Sequence, residues 1–376
     1  YMKFNVSSKA LYNATSAVSK VINSKNSLAI LDNFLINLTG NVLTITGSDA
    51  ENALTARIEV EKAKGEGSVC LGARRLVELL KAIPDQGVTV DLNEDTLEMQ
   101  LTYQSGHYSF VGLPASQYPE FKTGDEGEAI TFSIATEQMI TGLDNTMFAV
   151  SNDEYRIIMQ GVLFDVAPES ITFVATDTRK LVRYIDKRTA PGVKGSCVIP
   201  SKPANIIKTV FAKDETLNIA MRSRSAVIES GSFTFQCTFL NGNYPDYNRV
   251  IPRNNTNVLT VDRSALLDAV RRVAIFVEVD GGLEKFRITP ESILIKSNDP
   301  SLCTSAREQV PCSYTGNELT IGFNASYLTE ILNTIKGQEV VVNLGDAGRP
   351  GVFRPAEEPD NTELVMLLMP MTVGEF

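Results

Sequence analysis

The hydrophobic positions of this chain switch between two periods in a recurring order. Ile140, Leu143 and Met147 fall at helical spacing, and then Val162–Val166 and Ile171–Thr176 form two runs rich in β-branched and aromatic residues. Ala167-Pro168-Glu169-Ser170 separates those runs and Asp177 ends the second. Proline fixes φ in the turn, so the spacing predicts a helix followed by a β-hairpin.

The same unit occurs before and after. Leu11, Ala14, Val18 and Ile22 give a helical face ahead of strands 33–38 and 42–49, with Thr39-Gly40-Asn41 as the turn. Leu266, Val270 and Val273 precede strands 286–288 and 293–299, with Thr289-Pro290-Glu291-Ser292 between them. Asp49, Asp177 and Asp299 close the three hairpins and stand 128 and 122 residues apart. A second helical segment follows each hairpin, at 71–83, 199–211 and 321–335, and Leu71, Ile199 and Ile321 repeat both offsets. Pro119, Pro245 and Pro370 mark the end of each unit, in QYPEF, NYPDYNRVIP and LLMPMTV. The reading is an α+β chain of three repeats, 1–127, 128–252 and 253–376, each with two helix–hairpin cycles and helices on one face of antiparallel sheets. Its 376 residues suit domains of ~100–150 residues.

Composition narrows the function. The chain is 43% hydrophobic and 21% charged, as in globular proteins. No apolar run approaches the ~18–20 residues of a membrane helix. Asn5, Ser7, Ser8 and Lys9 interrupt any signal-peptide core, so a cytoplasmic location is expected; Tyr1 ahead of Met2 reads as foreign to the natural start. Cys70, Cys197, Cys237, Cys303 and Cys312 are scattered without CxxC spacing, which argues against a disulfide framework or a zinc site. His107 is the sole histidine, and no phosphate-binding, nucleophile-elbow or HExxH motif is present, so catalysis has little to stand on. Asp49, Asp177 and Asp299 read as turn residues at equivalent places rather than as a carboxylate cluster. No cofactor and no metal are expected.

Charge modifies the picture. A net charge of −10 opposes attachment to nucleic acid by the overall field. Summed over the six helical segments, however, the charge is mildly positive, so the acid excess lies in strands and loops.

SLAILDNFLINL (27–38), YRIIMQGVLFDV (155–166), VATDTRKLV (174–182), NYPDYNRVIP (243–252), IGFNASYLTEILN (321–333) and LLMPMTV (367–373) together resemble the bacterial sliding clamp family, the β subunit of DNA polymerase III. The resemblance covers the chain from Met2. It implies three clamp domains per chain, six closing a ring in a homodimer, with helices lining the hole around double-stranded DNA held without sequence preference. By that resemblance the DNA-facing residues are Lys20, Lys25, Arg74, Arg75, Lys81, Lys202 and Lys208. The dimer contacts are Tyr108 and Phe110 on the first domain with Ile275 and Phe276 on the third. A cleft for tail peptides of the polymerase, the clamp loader and other clamp-binding proteins comprises Met159, Thr176, Thr178, Arg179, Lys180, Leu181, Pro245, Arg249 and Val250, with Asn324, Tyr327, Leu367, Leu368, Met369, Pro370 and Met371. Thr178-Arg179-Lys180 departs from a Gly-His-Arg-like run, Ile157 and Ile158 replace aromatics, and Thr372 and Gly374-Glu375-Phe376 depart near the end. Two readings compete: a three-domain scaffold without a nucleic-acid partner, and a carboxylate- or metal-dependent nuclease using Asp177 and Asp246.

Overall fold

The computed structural model describes residues 1–279 and 282–376. Among them are seven α-helices: α1 (Ser8–Ser19), α2 (Ala73–Ala82), α3 (Thr136–Thr146), α4 (Ser201–Val210), α5 (Tyr247–Val250), α6 (Arg263–Ala274) and α7 (Ala325–Thr334). The hairpins expected from sequence are present as Asn33–Thr39 with Val42–Ser48, Gly161–Ala167 with Ser170–Thr176, and Leu283–Ile288 with Ser292–Asp299.

Two local expectations change. Leu71, Ile199 and Ile321 belong to the strands Gly67–Gly72, Gly195–Pro200 and Leu319–Asn324, and the helices begin only after them. Capping fixes where several of the helices start. Asn324 accepts from the Tyr327 amide at 3.1 Å, Asp262 from Ala265 at 2.8 Å and Ser7 from Ala10 at 3.3 Å. Each hairpin also gains a third strand, Ala53–Glu59, Lys180–Asp186 or Thr304–Pro311, so the unit is a meander behind a strand-led helix.

The three aspartates do one job. Oδ1 of Asp49 accepts from the amides of Glu51 and Asn52 at 2.9 and 2.7 Å. Asp177 does so from Arg179 and Lys180, both at 2.9 Å, and Asp299 from Ser301 and Leu302 at 2.9 and 3.3 Å. Each carboxylate satisfies backbone donors freed where the second strand turns into the third.

Contacts gather into two compact units, residues 1–137 with 202–239, and residues 138–201 with 240–376. Each contains parts of two repeats because the sheets run on from one repeat to the next. In the first unit, Ala53–Glu59 pairs with Phe233–Thr238 within an eight-stranded sheet. In the second, Lys180–Asp186 pairs with Thr362–Leu368 within a nine-stranded sheet, from Lys180↔Leu368 to Asp186↔Thr362. The first unit adds a five-stranded sheet with Gly106–Val111 at one edge, and the second a four-stranded sheet with Thr304–Pro311 at one edge. All ladders among the described residues are antiparallel. Helices α1 and α2 lie together in the first unit, α6 and α7 in the second. Leu11, Ala14 and Val18 of α1, and Leu266, Ala269, Val270 and Val273 of α6, are the buried sides. No helix among the described residues is long and apolar enough to cross a membrane.

Candidate functional site

The nine-stranded sheet buries apolar residues on both faces. On the face that carries α5, Leu163, Val174, Leu181, Val198, Val352, Val365 and Leu367 form a layer, partly covered by Ile158, Leu240, Tyr244, Tyr247 and Ile251. Beside this cover opens a cavity of about 210 Å³, lined by Met159, Thr176, Thr178, Arg179, Lys180, Leu181, Pro245, Tyr247, Val250, Leu367 and Met369. Ten of the sixteen cleft residues expected from sequence are in that lining.

The other six lie around it. Arg249 is exposed on α5 and pairs with Asp246 at 3.0 Å. Asn324 is spent as the cap of α7. The Tyr327 ring lies 4.2 Å from the Lys180 ammonium, which also meets Glu330 at 2.8 Å and Asp177 at 3.3 Å. Lys180 therefore borders the cleft while its charge turns to α7 and is neutralised there. Leu368 is fully buried and, by strand alternation, faces the opposite side from Leu367. Pro370 follows Met369, and the Met371 amide donates to the Gly322 carbonyl at 2.7 Å.

Tyr247 was not anticipated, although it stands two residues after Pro245 in NYPDYNRVIP. Its hydroxyl lies 3.4 Å from Asp165 Oδ2. Burial pushes the Asp165 carboxyl up, and burial and then the nearby carboxylate push the Tyr247 hydroxyl up. Asn248 Oδ1 accepts from Arg183 at 3.2 Å, and Arg183 donates to Glu363 at 2.6 Å. One turn of helix is thus held to the sheet by side chains and presents Tyr247 and Val250 to the cavity. At the other end Thr178, with φ at +77°, receives a 3.0 Å hydrogen bond from Arg156 on its hydroxyl. Arg156 begins the 3-10 turn that carries Met159. Of the two departures there, Ile157 is exposed and Ile158 packs on the apolar layer.

A Met- and Leu-lined hollow with guanidinium groups at its margin can hold a short apolar peptide. It holds no nucleophile paired with a base. Asp177 is committed to its turn and Asp246 to Arg249, and among the described residues no group of three or more His, Cys, Asp and Glu could bind a metal ion.

The basic residues expected at DNA all lie in the first unit. Lys20, Lys25, Arg74, Arg75 and Lys81 are exposed, and Lys208 is half-buried. Lys202 differs: its ammonium donates to Val21 O, Asn23 Oδ1 and Asp49 Oδ2, each at 2.6 Å. With all three donors occupied, Lys202 is a structural tie.

The two residue pairs expected at the dimer contact stand at open places. Tyr108 is exposed and Phe110 half-buried on the edge strand Gly106–Val111, while Ile275 is 78% exposed and Phe276 38% exposed just past α6. Val111, Val279 and Leu302, not singled out from the sequence, are 81%, 91% and 69% exposed. Beyond the cleft, the last residues run over the four-stranded sheet. Lys285 donates to the Glu375 carbonyl at 2.6 Å, and the Phe376 ring sits 4.1 Å from Arg287 and 4.5 Å from Lys296.

Known proteins share this arrangement. Family models for the DNA polymerase III beta subunit match residues 2–122 with the N-terminal domain, 133–246 with the central domain and 248–372 with the C-terminal domain. The beta sliding clamp of Pseudomonas aeruginosa is 27% identical over 97% of this chain and 99% of that protein. The beta sliding clamp of Proteus mirabilis is 30% identical over 92% of this chain and 94% of its own length. A crystal structure of the Pseudomonas aeruginosa DNA polymerase sliding clamp with ligand superposes with a TM-score of 0.92, at 27% identity, covering 99% of this chain and 100% of that one. With its triplicated fold and matches along nearly its whole length, the chain belongs to the DNA polymerase III beta subunit family, the bacterial sliding clamps.

Proposed function

We propose that two copies of this chain close head to tail into a ring around duplex DNA and serve as a processivity factor, with no catalytic site of their own. The ring holds three clamp domains per copy, 1–127, 128–252 and 253–376, and works in the cytoplasm. Strand pairing supports this reading most strongly. At both junctions inside the chain, the third strand of one repeat's first meander pairs with the last strand of the next repeat's second sheet: Ala53–Glu59 with Phe233–Thr238, and Lys180–Asp186 with Thr362–Leu368. The same rule leaves Thr304–Pro311 and Gly106–Val111 as edges awaiting each other. The two are not paired with each other within the chain, and a second copy supplies the partner that the rule requires. Exposed Tyr108, Val111, Ile275, Phe276, Val279 and Leu302 would be covered there, removing an edge-strand hazard.

Retention on DNA then rests on topology, and weak contacts suffice. Lys20, Lys25, Arg74, Arg75, Lys81 and Lys208 meet phosphates without reading bases, while the acidic remainder keeps DNA from the outer wall. The cleft takes apolar tail peptides from the replicative polymerase, the clamp loader and other clamp-binding proteins, with Met159, Leu181, Val250, Leu367 and Met369 as its floor. The test is retention on circular DNA after loading at a nick. Ring closure predicts that cutting the circle releases the protein; equal retention on circle and linear DNA would sink the proposal.

A further inference from the structure

We infer that the cleft prefers peptides whose apolar anchors are flanked by carboxylates, and that Arg179 reads the charge. The inference rests on the cleft's being the peptide site. The other cations around the cavity already have partners. Lys180 is buried and neutralised by Asp177 and Glu330. Arg249 pairs with Asp246 on its own helical turn. Arg156 is tied to the Thr178 hydroxyl and lies 3.7 Å from Asp153. Arg179 alone lines the cavity, is exposed, and makes no side-chain ion pair among the described residues.

Its base is rigid. The Arg179 amide donates to Asp177 Oδ1 at 2.9 Å, and its carbonyl accepts from the Met369 amide, also at 2.9 Å. With the backbone fixed on both sides, only side-chain freedom is lost when a carboxylate arrives, and the planar guanidinium fork suits that partner. The chain's net charge of −10 works the other way, repelling acidic peptides. The local charge wins at physiological salt, where screening acts over ~8 Å and only the nearest charges count. With Arg156 and Arg249 beside Asp153 and Asp246, Arg179 is the unneutralised cation that a docked peptide meets.

Two labelled peptides test this against the intact protein by fluorescence polarisation. They share one Leu- and Phe-containing core and differ only in carrying Asp or Asn on either side of it. The Asp peptide should bind about three- to tenfold tighter at physiological salt, as for an exposed charge-assisted pair, with the ratio shrinking as salt rises further. In Arg179→Gln the ratio should fall to near one, and Arg179→Lys should restore part of it. Equal affinities for wild type, or a ratio that survives Arg179→Gln, overturn the inference while leaving the cleft in place. If neither peptide binds, the cleft reading falls with it; binding through the cleft is identified by loss of both peptides in Met369→Asp.

Discussion

Glu284 is the group whose titration should be felt most strongly. It lies on Leu283–Ile288 with no exposed surface, opposite Phe323 on the neighbouring strand, and neither carboxylate oxygen has a hydrogen-bond partner among the described residues. Burial pushes its pKa from 4.5 up to about 8. At neutral pH the native protein therefore holds a proton that the unfolded chain releases. Linkage gives the sign: stability falls as pH rises from 4.5 to 8 and is flat above, because over that window the native state binds more protons. At about 1.4 kcal/mol per pH unit the loss amounts to about 5 kcal/mol. Glu284→Gln keeps the shape and removes the titration. Any cost of burying its amide is independent of pH, so the change in the gap between variant and wild type isolates the charge. Thermal unfolding followed by circular dichroism should show a gap growing by about 7–15 °C between pH 5 and 8, on a scale of about 2–4 °C per kcal/mol. Hydrogen exchange in Leu283–Ile288 assigns the transition. A gap that stays constant across this range would mean that Glu284 is already ionised in the fold, and the reasoning would be refuted.

Other consequences follow from individual contacts. Lys202→Met strips the partner from Asp49, whose side chain is 5% exposed; since Lys202 itself is partly exposed, a loss of about 2 kcal/mol in urea unfolding is expected. Arg74→Gln, in a pair whose arginine is 93% exposed, should leave unfolding unchanged and weaken only salt-sensitive retention on DNA. Thr178→Gly removes left-handed strain of about 1–2 kcal/mol at φ +77°, but also the Arg156 bond and some unfolded-chain restriction. Its melting temperature should stay close to wild type, whereas Thr178→Val, which keeps the strain and loses the bond, should melt lower. Ile275→Glu with Val279→Glu alters two exposed side chains, so the fold should persist while sedimentation drops from near twice 41.1 kDa to the single-chain mass. A dimer that survives would mean that another surface closes the ring.

The repeats were legible because one geometric need recurs. Turning the second strand of each meander back into the third frees amides that a carboxylate accepts, so Asp49, Asp177 and Asp299 mark the period even where the neighbouring residues differ. The third strand of the last meander was missed for an opposite reason. Thr304–Pro311, TSAREQVP, buries little beyond Val310, and its polar face gives no alternation to detect. Helix starts were placed too early because Ile199 and Ile321 are apolar in either conformation, and only the caps distinguish strand end from helix.

The cleft was legible to the extent that its floor is made of adjacent apolar residues, and it blurred where neighbours in sequence part company in space. Leu367 and Leu368 read alike, yet strand alternation sends one to the cavity and the other to the opposite face. Cations are harder still, because their sequence neighbourhood does not say whether they are already paired. Lys202 looks like a free charge on a basic helix, but the carboxylate that consumes it is 153 residues away. Lys180 and Arg179 are adjacent and both line the cleft, yet the Lys180 charge is taken by Glu330, 150 residues distant, while Arg179, in the turn before the strand, keeps its own. Which charge is available to a partner is thus decided by long-range pairing, and in a chain with a net charge of −10 that availability governs recognition more than the sum does.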